Sequence, residues 1–212
     1  MKSVKALRPN DGWLEIELDE DEISYLWKCI DKKGINHKKH LVGNISSSFS
    51  LEDENDWFHD NVLSRLYGKY ASEFRNPAND LGLKGSHPFY LRSLWVNYQK
   101  QNEFNPLHDH TGIYSFVIWM KIPTNWKDQF KLPFLKGIKG NDKRPSSFEF
   151  AIPCRDGGLV TPHYKMSADW EGHMLFFPAR MFHQVYPFYD CDEERISISG
   201  NIGLDTTRTR RL

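Results

Sequence analysis

With 212 residues the chain is long enough for one domain with a sizeable core, and its 28 Lys and Arg balance 28 Asp and Glu. A formal net charge of zero, with 39% hydrophobic and 14% aromatic residues, excludes a disordered polyelectrolyte and a generic nucleic-acid binder. Cys29, Cys154 and Cys191 lie far apart without a Cys-x-x-Cys pair, which argues against a thiolate zinc site and a disulfide framework. The first residues lack the apolar run of a signal peptide, and no segment approaches the ~20 apolar residues that span a bilayer. A soluble, cytoplasmic protein with no membrane partner is expected.

In chain order, the turn at Pro9-Asn10-Asp11-Gly12 leads into a half-buried strand, with Trp13, Leu14, Ile16 and Leu18 as its apolar residues. Four acids, Asp19 to Glu22, then open a helix that carries Ile23, Leu26, Trp27 and Ile30 on one face and closes at Lys32-Lys33-Gly34. His37, Lys38, Lys39 and His40 read as a solvated basic turn, and residues 41–50 as a Gly- and Ser-rich loop or short irregular strand. From Trp57 to Phe74 the apolar residues keep a helical period, ended by Asn76-Pro77. His59 at its start has no second ligand at helical spacing and reads as a surface or packing residue.

The texture then changes. Tyr90–Gln99, Tyr114–Ile122, Ser147–Ile152, His173–Phe177, Phe182–Tyr186 and Arg195–Ile202 are short, aromatic or β-branched, and separated by turn signals. Such a run without helical interruptions predicts a mainly β fold, a double-stranded β-helix or jelly roll, with two or more N-terminal support helices on one outer face. Residues 1–212 are expected to form one domain: residues 1–89 carry a strand and support helices, 90–203 the β-rich core, and 204–212 a basic tail. Residues 123–147, rich in lysine, read as an exposed insertion, either a mobile lid or a solvated loop.

Within the core, His108 and His110 flank Asp109, and side chains two apart on an extended strand share a face. Downstream, Glu171–Pro187 reads as strand, tight turn at Pro178 and strand, delivering His183 to the start of the second strand. Arg195, Ser197 and Ser199 then face one way along the next strand, with Ile196 and Ile198 facing the other. A polar stripe headed by an arginine implies an occupied interior. Tyr98 lies on the preceding strand, whereas Asn97 and Gln99 fall on its other face, lining the pocket or pairing at an edge. His163 and His173 read as non-ligands, and Trp119 and Trp170 as core and rim.

At this point the chain resembles the 2-oxoglutarate and Fe(II)-dependent oxygenases, in which a His-x-acid pair and a distal His hold iron and a later Arg-x-Ser binds the far carboxylate of 2-oxoglutarate. A closer likeness is to a subgroup widespread in marine bacteria and their phages, carried by Asn105–His110, Ser115–Trp119, Phe177–Pro187 and Arg195–Ile198. This resemblance spans residues 95–203. It implies Fe(II) on His108, His110 and His183, with 2-oxoglutarate on Arg195, Ser197 and Tyr98. The reaction implied is hydroxylation of a small-molecule or peptidyl substrate with release of succinate and CO2. The departure is His110, where an acid is usual; either His110 or, through a bulge, Asp109 completes the site. Two alternatives stay open: a three-histidine, cupin-like dioxygenase that needs no 2-oxoglutarate, and a metal-free jelly-roll binding or virion-associated module.

Overall fold

The computed structural model describes residues 1–7, 12–36, 43–138 and 143–207. The turn at residues 9–12, apart from Gly12, the basic turn at 37–40 and the tail beyond 207 therefore lie outside the described residues. So do four residues of the 123–147 segment. Among the described residues, no helix is long and apolar enough to cross a membrane.

Two antiparallel sheets face one another. The larger runs in the order β1 (Ser3–Leu7), β2 (Trp13–Glu17), β11 (His173–Pro178), β6 (Tyr114–Lys121), β13 (Arg195–Leu204), β4 (Phe89–Gln99) and β3 (Ser47–Ser50). The smaller runs β10 (His163–Lys165), β7 (Ser147–Phe150), β12 (His183–Val185) and β5 (Asn105–His108), and β8 (Ile152–Pro153) pairs with β9 (Leu159–Val160). The mainly β jelly-roll expectation is met. All six strand runs anticipated from sequence are present, the Ser147–Ile152 run being divided between β7 and β8.

Alternation along the large sheet supplies two cores. Residues such as Ile16, Ile118, Phe176 and Ile198 point outward and are covered by α1 (Glu20–Asp31) and α2 (Ser64–Glu73). Residues such as Trp13, Trp119, Leu175 and Phe177 point inward against Phe148 and Phe150 of the small sheet. The two support helices are thus confirmed. Helix α1 starts at a capping box in which Asp19 accepts from the Glu22 amide and Glu22 from the Asp19 amide. The second helix is not one regular rod from Trp57: a π-helical turn at His59–Leu63 precedes α2, with Asp53 accepting from the amides of Phe58 and His59.

The 123–147 segment departs from expectation. Its described part is anchored rather than merely exposed: α3 (Trp126–Gln129) buries Gln129, whose amide donates to the Tyr189 carbonyl, and Leu132 and Leu135 are also buried. Its end turns back at Ser146, whose φ of 64° lies in the left-handed region and whose amide donates to the Pro187 carbonyl.

Candidate active site

Strand β12 lies between β7 and β5, and its pairing sets His183 directly opposite His108. Beyond the end of β5 the chain continues to His110, whose amide donates to the Ala179 carbonyl. The sequence expectation of one extended face is therefore replaced by a strand end and a tied loop, with the same result. The ligand-capable nitrogens of His108, His110 and His183 all lie within 4.8 Å of one another. Nε2 of His110 is 3.2 Å from Nε2 of His183.

The hydrogen bonds behind the rings decide what the front can do. Nδ1 of His108 donates to the Pro106 carbonyl at 2.7 Å, and Nδ1 of His183 to the Met181 carbonyl at 2.9 Å. With the proton held on Nδ1, each Nε2 presents a lone pair. Burial lowers the pKa of all three: that of His108 is depressed, that of His110 falls to about 4, and that of His183 lies well below the usual histidine range. Three neutral imidazoles, those of His108 and His183 with their Nε2 lone pairs free, fit a transition-metal cation, because ligands about 2.1 Å from a shared ion sit roughly 3 Å apart. Asp109 is not part of this cluster; its carboxylate pairs with Arg180 at 2.8 Å. His163 and His173 also stand outside it, as expected, and His59 bonds Asp60.

The histidines open into a cavity of about 520 Å³ between the sheets. Trp95 and Asn97 of β4 and Ser197, Ser199 and Asn201 of β13 line it. Tyr98 does not. It faces the helix side, packing edge-on against Phe49 with Lys33 above its ring, so its expected contact with a cosubstrate is corrected. Alternation puts Asn97 and Gln99 on the inner face instead, with Ser48 donating to Asn97.

Arg195 shares the inner face with Ser197 but lies beyond the cavity wall and is only 2% exposed. Its guanidinium donates to the Ser146 carbonyl at 3.1 Å and to the Ser146 hydroxyl, approaches Gln99 at 3.5 Å and lies over the Phe188 ring. No carboxylate of the described residues pairs with it, and its Nε has no partner. Burial pushes its pKa down to about 9, which still leaves it a cation at neutral pH. A buried cation without an acid is costly unless an anion completes it. Ser146 escaped sequence reading because nothing in Pro145-Ser146-Ser147 announces a contact with a strand 49 residues away.

The fold and site define a two-sheet β protein with a three-imidazole metal-binding geometry. Residues 93–201 match the profile of the family described as "Putative 2OG-Fe(II) oxygenase", and the chain belongs to this family. It is accordingly a 2-oxoglutarate-dependent oxygenase-type oxidoreductase, whose family uses Fe(II) and 2-oxoglutarate. Among solved structures, the chain is similar to a 2OG-Fe(II) oxygenase family oxidoreductase from Burkholderia pseudomallei. That match has 13% identity and a TM-score of 0.50, covering 87% of this chain and 79% of that one. A Pseudomonas putida prolyl-4-hydroxylase matches at 14% identity and TM-score 0.50, with 95% and 94% covered. At these identities the likeness is one of fold. No curated protein matches the chain.

Proposed function

We propose that the protein hydroxylates an unreactive C–H bond of a small-molecule or peptidyl substrate, with His108, His110 and His183 holding the iron and Arg195 and Ser197 anchoring 2-oxoglutarate. The observation that carries this reading is the convergence of three neutral, desolvated imidazoles beside a strand face that ends in a buried, acid-free arginine. Bound Fe(II) and 2-oxoglutarate supply the oxidation, in which O2 places one oxygen atom in the substrate and one in succinate as CO2 leaves.

The chain's own residues orient and exclude. Pro106 and Met181 carbonyls hold the His108 and His183 rings in the tautomer that offers Nε2. Arg195 offers a planar fork suited to the far carboxylate, and Ser197 lines the wall on the way to it. His110 is the third ligand in this reading, because the Asp109 carboxylate is engaged with Arg180.

Anaerobic addition of Fe(II) and then 2-oxoglutarate tests this. The expected result is stoichiometric iron binding followed by a visible charge-transfer absorption that His183→Ala abolishes. Iron binding without that absorption sinks the 2-oxoglutarate reading and favours a three-histidine dioxygenase, which the acid-free ligand set allows. No metal binding at all leaves a binding module.

A further inference from the structure

The large sheet contains a β-bulge at the cavity. In the β13–β4 ladder Asn201 pairs with Ser93 but Ile202 pairs with Leu91, so Arg92 is the extra residue on β4. Its effect shows in the packing. Leu94, Val96 and Tyr98 pack on the helix-side core, and so do Phe89 and Leu91, so alternation changes phase between Leu91 and Leu94. Two consecutive residues, Arg92 and Ser93, consequently face the cavity, and both line it. In unbroken alternation only one of the two would face it.

Among the described residues, two charged side chains line this cavity, Arg92 and Asp109. Asp109 is balanced by Arg180. Arg92 is exposed at the mouth and makes no hydrogen bond or ion pair to any described residue. Across the ladder, Asn201 accepts from the Ser115 hydroxyl through its Oδ1, and its amide NH2 remains as a second donor.

Position along the strands separates Arg92 from Arg195. The His110 ring lies 6.0 Å from the Trp95 ring, and Trp95 pairs with Ser199. Arg195 is four residues from Ser199 in one direction, roughly 13 Å, while the bulge lies about two residues away in the other. A five-carbon diacid with one carboxylate at the metal reaches one of these cations, not both.

We infer that Arg92, presented by the bulge and assisted by Asn201, binds an anionic group of the substrate, a carboxylate or a phosphoryl group, on the side of the metal site opposite the cosubstrate anchor. This assignment rests on the oxygenase reading for its division of labour between the two arginines. The bulge places the group near the mouth, so the bond to be oxidised lies inward of the anion.

The test is an NMR titration of the full-length 15N-labelled chain, with the Arg92 Nε–Hε resonance assigned by its loss in Arg92→Gln. Inorganic phosphate and acetate are added separately, once with saturating Zn(II) and 2-oxoglutarate and once to the metal-free chain. In the loaded protein the Arg92 resonance should move saturably with at least one anion, and Arg195→Gln should leave that response in place on the metal-free chain. Whichever anion binds more tightly tells phosphoryl from carboxylate substrates. A response no larger than that of exposed Arg155 for both anions overturns the proposal. If the Zn(II) protein fails to bind 2-oxoglutarate, the oxygenase reading falls. The metal-free titration then still supports or overturns the anion site by the same comparison.

Discussion

His183 is 4% exposed and boxed in by Phe148, Phe150 and Phe177, so its imidazole has no solvent to retreat into. Replacing it with alanine should weaken Fe(II) binding more than about 100-fold, beyond the loss typical of residues that only orient ligands. His110→Asp should retain iron and restore the more usual acid ligand; anaerobic metal titration reads both. Acid should also act through these rings. Their folded-state pKa values lie below those of the unfolded chain, so the unfolded chain takes up protons first as pH falls below 6.5. The metal-free protein should therefore keep its stability above that pH and lose it progressively toward pH 4, seen as a falling urea midpoint. Arg195 makes the opposite kind of prediction. Arg195→Met removes a buried cation that has no acid, so it should leave the metal-free chain as stable or more stable while reducing 2-oxoglutarate affinity at least tenfold by calorimetry.

At the level of strands, β13 tolerates little. A Cβ on Gly200 would lie 2.4 Å from the Phe116 ring and 2.9 Å from the Ser93 carbonyl, so Gly200→Ala should cost about 1–3 kcal/mol in urea unfolding and distort the ladder beside the cavity. Much of this level was legible in the residues. Aromatic and β-branched runs between turn signals marked six of the strands, and the spacing from His108 through His183 to Arg195 marked the site. What was not legible has physical causes. Both faces of β4 are buried, Leu94 and Val96 on one and Trp95 and Asn97 on the other, so period-two alternation identified two faces without saying which looked inward. Tyr98 was therefore assigned to the wrong one. Arg92 was invisible because a bulge shows itself only in pairing register, and Ser146 because it contacts Arg195 from a loop.

For the molecule as a whole, helices on one face and a small sheet on the other leave a single large sheet to carry both cores. The two supporting helices were readable from their apolar stripes and from the acids at Asp19–Glu22, since both signals are local. The anchoring of the described part of the 123–147 segment was not, because Gln129 is buried against the distant Tyr189 carbonyl. Saturating 2-oxoglutarate should raise the thermal midpoint of the Zn(II)-loaded protein by about 5–10 °C at a hundredfold excess over Kd, as expected for a ligand that binds only the folded state of a domain this size. The acid-free burial of Arg195 extends this from the test tube to the cell. Degradation by proteases follows the population of opened chains, and that population falls when an anion neutralises the guanidinium. The protein's lifetime should thus track the supply of its own cosubstrate: limited proteolysis should slow as 2-oxoglutarate is added, and Arg195→Met should make the rate indifferent to it.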